Sequence, residues 1–337
     1  MVNLTNLWFL LIGILFTGFI FLEGFDFGVG ILLPFVAKGD EQRQIAIGTI
    51  GPVWDGNEVW LLTAGGAMFA AFPYWYATMF SGFYLALFIV LASLIVRGVT
   101  FEFRNKSDSR FWRDNWDTAL SLSSLINAIL LPVAFANLIG GTPIEIANGK
   151  LEYVGGFWDL LTPFTLAAGL YGCLFIVFHG AVYLANKSSG VVETNSLKIG
   201  KKLGIFALIA YVLFIVTAYV SLKGTSLLSG IILISSGIIL IISYLMFRSG
   251  KIKITLLLNF LVIALTMTAL FTGLFPNAMI SSLGSANNLT LIDAASSDYT
   301  LKVMSVIALT LLPFILAYQY WTFRVFKARM TLKDVNY

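Results

Sequence analysis

Four carboxylic acids lie within the first two long apolar segments of this chain. Glu23 and Asp26 belong to the first segment, and Asp55 and Glu58 belong to the second. An ionised acid at the centre of a bilayer costs at least about 2.5 kcal/mol by insertion scales, and acids in such positions are usually functional. These four must therefore be paired, protonated or hydrated. Neighbouring buried carboxyl groups that share protons have the chemistry of a proton relay.

The spacing of the four acids predicts that they meet in one layer. Each pair is separated by three residues, so both acids of a pair face the same side of a helix. At 1.5 Å per residue, Asp26 and Asp55 lie about 15 Å from the end where the two segments join, and Glu23 and Glu58 lie about 20 Å from it. Consecutive helices with a short connection are usually neighbours. We therefore expect the four acids to face one another.

A second interpretation assigns these acids to packing alone. Trp54, Asn57 and Arg97 could satisfy buried acids that only lock helices together, without any transfer of protons. In the functional interpretation the same three residues orient the acids and balance their charge. We favour the functional interpretation, because buried intramembrane acids are costly to retain.

The elements that must position these residues are membrane-spanning helices. Hydrophobic residues make up 58% of the 337 residues and charged residues only 11%, against roughly 25% charged residues in a soluble domain. Apolar runs of a length that spans a bilayer predict nine helices. They cover approximately 7–37, 45–72, 76–99, 118–140, 157–186, 203–222, 227–247, 254–276 and 301–326.

The basic residues predict the orientation of these helices. Eighteen of the 21 lysines and arginines fall in the loops after spans 1, 3, 5 and 7 and in the C-terminal tail. Because retained cytoplasmic loops carry the positive charge, the N-terminus is predicted outside and the C-terminus inside. Cations confined to one side of a membrane contact anionic lipid headgroups. The basic net charge therefore does not indicate nucleic-acid binding.

The chain is predicted to be a single integral membrane domain, 1–337, with short loops. Eight helices would form two four-helix bundles and the ninth would be added to them. The polar segment 187–202 is the candidate border between halves 1–190 and 200–337. The longest loops are predicted at 101–117 and 187–202 inside, and at 141–156 and 277–300 outside.

The sequence offers little else that could bind a metal or a soluble cofactor. His179 is the only histidine, and a lone histidine cannot supply two axial haem ligands. We interpret it as a hydrogen-bonded packing residue. The chain also lacks the phosphate-binding, dinucleotide-binding and nucleophile motifs of soluble enzymes. We therefore assign no catalytic residue and no metal ligand to this chain.

Two stretches, EGFDFGVG (23–30) and GPVWDGNEVWLLTAGGAMFAAFP (51–73), resemble subunit II of the cytochrome bd quinol oxidases. The resemblance continues through FSGFY (80–84), IVRGVTFEFR (95–104), FWRDNWD (111–117), FPNAM (275–279) and LTLIDAASSDYTLKVM (289–304). It therefore covers nearly the whole chain. The family's nine-helix topology with the N-terminus outside agrees with the pattern of basic residues.

The resemblance implies a heterodimer in the bacterial cytoplasmic membrane. The larger subunit I would carry haem b and haem d, oxidise quinol near the outer face and reduce O2 to water, while this chain would be its haem-free companion. The family associates the aspartate of the WDGN motif with a cytoplasmic proton path, and that role carries over to Asp55. Asp26, Glu23 and Glu58 would complete the membrane part of the path. The resemblance also leaves room for a small single-helix subunit and for a bound quinone or lipid.

The competing function is a proton-coupled secondary transporter that uses the same acids. Transporters often contain helices that are interrupted near the middle of the membrane. Gly51, Pro52 and Gly56 predict such an interruption in the second span, although the sequence shows no matching interruption in a second half. A third interpretation, a pure scaffold, predicts that neutral replacements of the acids leave turnover intact.

Overall fold

The computed structural model describes residues 3–147, 150–222 and 226–335, which form a bundle of long helices with two small hairpins. The helices are α1 (Leu4–Val36), α2 (Asp40–Ile50), α3 (Trp54–Ala71), α4 (Pro73–Gly82), α5 (Tyr84–Phe103), α6 (Arg110–Gly140), α7 (Pro163–Lys187), α8 (Gly190–Ser221), α9 (Leu227–Arg248), α10 (Ile252–Leu274), α11 (Leu291–Ala294) and α12 (Asp298–Val325). The expectation of an all-helical membrane protein is confirmed.

The two hairpins occupy the segments predicted as the long outer loops. In the first, β1 (Ile144–Ala147) pairs antiparallel with β2 (Lys150–Tyr153), and in the second β3 (Asn277–Met279) pairs with β4 (Leu289–Thr290). Ser281 joins the two segments, because its hydroxyl donates to the Ile144 carbonyl at 2.5 Å. The loops at this end of the bundle are thus ordered against each other.

Eight helices of the described residues are long and apolar enough to cross a membrane. They correspond to eight of the nine predicted spans. The remaining predicted span, 45–72, is divided between α2 and α3, and the polar residues at the start of α3 lower its hydropathy. The count of nine spans therefore stays a prediction.

The division of the second span lies at residues 51–53, where the chain forms a turn between α2 and α3. Pro52 has no N–H to donate to a helical carbonyl, and Gly51 adds backbone freedom. The interruption predicted from these residues is confirmed. Its consequence is that Asp55, Asn57 and Glu58 all lie in the first turns of a new helix.

α7 is the most deeply buried spanning helix and packs against α1, α6 and α8. Gly28 of α1 meets Gly180 of α7 so closely that a Cβ on Gly28 would lie 2.7 Å from the Gly180 Cα. Glycine is needed on both sides of such a crossing. Gly24 and Gly28 have the four-residue spacing that permits a close helix contact, and the close approach occurs at Gly28. It fixes the height of α1 relative to the centre of the bundle.

Segments 101–117 and 187–202 were predicted as loops, and these predictions are wrong. Most of the first belongs to α5 and α6, and most of the second to α8. Their polar side chains pair within the protein. For example, the Asn195 amide donates to the Val36 carbonyl at 2.9 Å, and Arg329 Nη2 lies 2.5 Å from Glu193 Oε1. A polar helix end paired in this way has the composition of a loop without being one.

α12 is the least buried of the eight candidate spans, with 6% of its most apolar window covered by the rest of the chain. At one end the Trp8 indole donates to the Leu301 carbonyl at 3.2 Å and to the Ser305 hydroxyl at 3.1 Å. Large side chains such as Phe314 and Trp321 are exposed along it. The proposed division into two halves is not tested by this packing and stays a prediction.

Candidate functional site

Arg97 of α5 lies at the centre of a group of acids that we call the Arg97 cluster, consisting of Arg97, Glu23, Asp26 and Glu58. Its Nη1 pairs with Glu23 Oε1 and lies 3.3 Å from Glu58 Oε2, and its Nη2 lies 3.9 Å from Asp26 Oδ2. Arg97, Glu23 and Asp26 have no exposed surface, and the Glu58 side chain is 21% exposed. Three helices thus bring their charges to one buried point.

The helices position these side chains by their periodicity and by where they begin. Glu23 and Asp26 are separated by three residues in α1, so both face α5. Asp55 lies in the first turn of α3, where backbone N–H groups lack helical acceptors and favour negative charge, and Glu58 follows one turn later. The interruption at residues 51–53 therefore gives Asp55 a favourable helix end within the second span.

Asn57 connects Asp26 to α12. Its Nδ2 donates to Asp26 Oδ2 at 2.8 Å, while its Oδ1 accepts a hydrogen bond from Gln319 Nε2 at 3.1 Å. Asn57 has no exposed surface, and Gln319 is partly buried. Two hydrogen bonds thus connect α12, the least buried of the candidate spans, to the fully buried Asp26.

Asp55 does not join the other three acids, so the prediction that all four face one another is wrong for this residue. Its side chain is exposed on the surface of the chain, and its Oδ1 accepts a hydrogen bond from the Gly56 N–H at 2.7 Å. Asp55 is nevertheless close enough to Glu58 to interact with it electrostatically. The face of α3 that carries both acids lies at the edge of the bundle, which leaves Asp55 outside and Glu58 at the boundary.

Aromatic rings surround the guanidinium of Arg97. Its Cζ lies 5.0 Å from the centre of the Phe27 ring and 5.6 Å from that of Phe101. Trp54 stacks on Phe101 with the ring centres 4.7 Å apart. Asn57 and Arg97 therefore contact the acids as predicted, whereas Trp54 acts on them through Phe101. Such rings favour a cation while excluding bulk water.

The Arg97 cluster has one cation for three carboxyl groups. Glu23 Oε2 and Asp26 Oδ1 are buried and accept no hydrogen bond from an N–H or hydroxyl group of the described residues, and Arg97 Nε donates none to them. The two carboxyl groups lie within hydrogen-bonding reach of each other. With every acid ionised the cluster would carry a net charge of −2, and uncompensated charge in a protein interior is costly. This arrangement suits carboxyl groups that take up protons or hydrogen-bond to internal water.

His179 is hydrogen-bonded at both ring nitrogens, which confirms its interpretation as a hydrogen-bonded packing residue. Its Nε2 lies 3.0 Å from the Phe21 carbonyl, and its Nδ1 lies 3.2 Å from Asn259 Nδ2. The Ser243 hydroxyl in turn donates to Asn259 Oδ1 at 2.6 Å. With both nitrogens engaged, His179 has no free lone pair for a haem iron.

A second group of charges, which we call the basic-end network, lies where α5 ends and α2 and α6 begin. It consists of four arginines and four aspartates: Arg43, Arg104, Arg110, Arg113, Asp40, Asp108, Asp114 and Asp117. Arg104 Nε donates to Asp117 Oδ1 at 2.6 Å and its Nη2 to Asp117 Oδ2 at 3.1 Å. The same Nη2 reaches Asp40 Oδ1 at 2.7 Å. The network ties three segments together.

Asp40 shows the electrostatic effect of this network. Partial burial raises the pKa of Asp40, but hydrogen bonds and charges from Arg104 and Arg113 outweigh burial and lower the pKa below its ordinary value of 3.8. The carboxyl is therefore ionised at neutral pH, and it stabilises the folded chain through its two arginines.

Gln319 and the basic-end network were not identified from the sequence. A glutamine in the last apolar span is itself a signal, because a polar side chain there needs a partner. Asp40, Arg104 and Asp117 gave no comparable signal, since charges near helix ends are usually solvated. Among the described residues, no group of three or more His, Cys, Asp or Glu side chains is arranged to hold a metal ion.

The chain is similar to known proteins over nearly its whole length. A family model described as cytochrome bd terminal oxidase subunit II matches residues 4–326. Cytochrome bd ubiquinol oxidase subunit 2 of Bacillus subtilis is 40% identical, with 99% of each chain covered. Cytochrome bd-I ubiquinol oxidase subunit 2 of Escherichia coli K12 is 34% identical, with 98% of this chain and 96% of the relative covered.

The fold is also similar to that of a solved structure. A chain in the structure of the bd oxidase from Geobacillus thermodenitrificans superimposes with a TM-score of 0.73, covering 96% of this chain and 98% of that one. At 16% identity this likeness concerns the fold alone. It agrees with the family match in describing a helical membrane subunit.

Proposed function

Since this chain belongs to the family of cytochrome bd terminal oxidase subunit II, we propose that it is the haem-free companion of subunit I in a quinol oxidase complex. It is a multi-pass protein of the bacterial cytoplasmic membrane. Subunit I would carry haem b and haem d and would couple quinol oxidation to the reduction of O2. The relatives at 34–40% identity are ubiquinol oxidase subunits by name, which supports a quinol as the reductant.

The haems are assigned to subunit I because the residues of this chain do not fit one. The only histidine, His179, has both ring nitrogens in hydrogen bonds. In this proposal no electron passes through this chain. Its chemistry in the complex is the movement of protons.

We propose that Asp55, Glu58, Glu23 and Asp26 form the membrane part of a proton path from the cytoplasm. The exposed carboxyl of Asp55 would receive a proton and pass it to Glu58, which lies at the boundary of the cluster. Glu23 and Asp26 would then exchange it inside. The observation that carries this proposal is the excess of carboxyl groups over cations around Arg97, because it leaves room for protons that come and go.

Arg97 and Asn57 would keep the acids in place during this exchange. Arg97 contacts three carboxyl groups, so it stabilises whichever of them is ionised at a given moment. Asn57 donates to Asp26. Trp54 supports Arg97 through the stacked Phe101 ring. These residues move no proton themselves.

The surface formed by α3 and α12 would bind subunit I. α12 leaves nearly all of its length uncovered, and the exposed Asp55 lies on α3 beside it. A partner on this surface would cover apolar side chains such as Phe314 and would lie against Asp55, where the proposed proton path reaches the surface of this chain. The proposed topology has nine spans, with the N-terminus outside and the C-terminus inside.

A bound quinone or lipid on this chain would occupy the apolar cavity among α6 to α10. The cavity has a volume of about 120 Å³ and is lined by Tyr171, Phe214 and Met267, among others. Its apolar lining suits a hydrocarbon chain. The proposal assigns this occupant no part in proton transfer.

The test is Asp55→Asn in the complex purified by a tag on this chain. Because the amide keeps the shape but cannot carry a proton, we expect quinol-dependent O2 consumption to fall about 100-fold, with unchanged haem absorbance and a co-purifying subunit I. Glu145→Gln in β1 is the matched control and should leave turnover unchanged. Unchanged turnover in Asp55→Asn would favour the scaffold, and loss of the whole complex would favour a structural lock. Family membership does not favour the transporter.

A further inference from the structure

A directed series of hydrogen bonds crosses three helices through Gln319, Asn57 and Asp26. Gln319 Nε2 of α12 donates to Asn57 Oδ1 of α3 at 3.1 Å, and Asn57 Nδ2 donates to Asp26 Oδ2 of α1 at 2.8 Å. Asn57 and Asp26 are completely buried. These two hydrogen bonds therefore connect α12, the least buried of the candidate spans, to the interior of the Arg97 cluster.

The donor-to-acceptor direction of these hydrogen bonds depends on Gln319. An asparagine amide has a donor end and an acceptor end, and it can exchange them by turning over. An ionised carboxyl group only accepts, whereas a protonated one can also donate. While Gln319 donates to Asn57 Oδ1, the NH2 of Asn57 is directed at Asp26. No other described residue donates to that Oδ1, so without Gln319 the orientation would depend on Asp26 alone, and both amide orientations would become accessible whenever Asp26 is protonated.

Gln319 also has a special place on α12. The helix is held to α1 at one end through Trp8, which bonds Leu301 and Ser305, and to α3 further along through Gln319. The Gln319 Oε1 lies 3.8 Å from where a Cβ on Gly56 would be, and Gly56 follows the exposed Asp55. Gln319 therefore contacts the two residues of α3 that follow Asp55 in sequence, one of which, Asn57, bonds the buried Asp26.

We propose that Gln319 is a positioning residue that fixes the amide of Asn57 and so ties the docking helix α12 to the proton exchange of Asp26. This inference rests on the proposed proton path. It adds that the contact between α12 and α3 sets how Asp26 is hydrogen-bonded. A displacement of α12 relative to the rest of the subunit would thus change the hydrogen bonding of Asp26 in the Arg97 cluster.

The test compares infrared difference spectra between the oxidised and reduced complex, together with O2 consumption. Asp26 is surrounded by Glu23, Glu58, Arg97 and Tyr183, so its carboxyl band is identified as the one lost in Asp26→Asn. In Gln319→Met we expect this band to shift in frequency or intensity. We expect O2 consumption to fall about fivefold, the factor that one hydrogen bond of ordinary net strength represents.

Two further variants make the comparison decisive. Gln319→Asn keeps an amide but shortens the side chain, so it should show the same changes, and it replaces Gln319→Met if that variant fails to assemble. Thr322→Val is the matched control on the same helix, because its exposed hydroxyl bonds only the Tyr318 carbonyl, at 3.0 Å. It should leave band and turnover unchanged.

The failures of the two proposals are distinguishable. If Asp26→Asn lowers O2 consumption but both Gln319 variants match the wild type in band and turnover, the positioning role is overturned. If neither Gln319 variant assembles, Gln319 is a structural lock and the role is again overturned. If Asp26→Asn and Asp55→Asn leave turnover unchanged, the proton path is wrong, and the infrared band alone then decides whether Gln319 orients Asn57. If no infrared band is lost in Asp26→Asn, the O2 consumption of the Gln319 variants decides whether Gln319 has a positioning role.

Discussion

The Arg97 cluster and the basic-end network are built from the same kinds of side chain in different proportions. The network pairs four arginines with four aspartates, whereas the cluster sets one arginine against three carboxyl groups. In the network the Arg104 and Asp117 side chains are 2% and 8% exposed and bond each other twice. In the cluster, fully buried atoms of Glu23, Asp26 and Arg97 lack hydrogen-bond partners among the described residues.

The comparison indicates that the basic-end network is suited to stabilising the fold and the Arg97 cluster to binding protons. Where cations and anions balance, each aspartate pairs with an arginine and the charges tie helix ends together. Where acids are in excess, ionisation of all of them is unfavourable, which is the condition for the proton exchange that we propose. The two regions should therefore respond to substitution in opposite ways.

The largest effect is expected for Arg97→Met. Removal of the only cation leaves three acids without compensation, and breaking a buried ion pair typically costs about 3–5 kcal/mol. We expect little or no intact complex in membranes, as measured by haem absorbance after purification. The double variant with Glu23→Gln removes one of the acids and should recover part of the yield. A normal yield of the single variant would show that Arg97 does not hold the cluster together.

A paired comparison of Asp117→Asn and Asp26→Asn comes next. Asp117→Asn removes the charge of Asp117 and one of its two acceptor atoms for Arg104, which should lower the free energy of unfolding by about 2 kcal/mol while turnover is unchanged. Asp26→Asn should lower O2 consumption about 100-fold with a smaller change in Tm, because it removes a negative charge from a cluster with too many. Thermal unfolding and O2 consumption of both variants measure this. Equal responses would remove the distinction between the two regions.

The smallest effect is expected for Asp40→Asn, and it should depend on pH. The folded pKa of Asp40 lies below 3.8 because Arg104 and Arg113 stabilise its ionised form. Its contribution is therefore present above that value and is lost as the pH falls through the lower folded pKa. Because its side chain is 39% exposed, we expect less than about 1 kcal/mol. Tm should be lower than wild type at pH 7, and the difference should shrink towards pH 3.

Arg110→Ala is the control for that experiment. Its side chain is 92% exposed and lies 3.6 Å from Asp114, so solvent screens the pair. Tm should match the wild type at both pH values. A pH-independent loss of stability in Asp40→Asn would indicate that its role is packing.

Much of the site follows from helix geometry. The rise of 1.5 Å per residue placed Glu23, Asp26 and Glu58 at one depth, and the structure brings these three together around Arg97. Arg97 was predicted as their partner only because a buried basic side chain would balance their charge. These predictions succeeded because periodicity and depth are local properties of a helix.

The rest depends on how whole helices are turned and packed. The direction of Asp55 is set by the rotation of α3 at the edge of the bundle, which no local pattern records. The contact between Gln319 and Asn57 joins residues 262 positions apart. The polar helix ends at 101–117 and 187–202 were mistaken for loops because pairing within the protein leaves no trace in composition.

The loose attachment of α12 also bears on how the subunit is made. Trp8 and Leu301 are 293 positions apart, and α12 is synthesised after every helix on which it packs. The first helix must therefore wait in the membrane, with its indole unpartnered by α12, until nearly all of the chain has been inserted. The docking surface that includes Asp55 would be completed only at that late step, so subunit I would meet a finished path and not a partly inserted one.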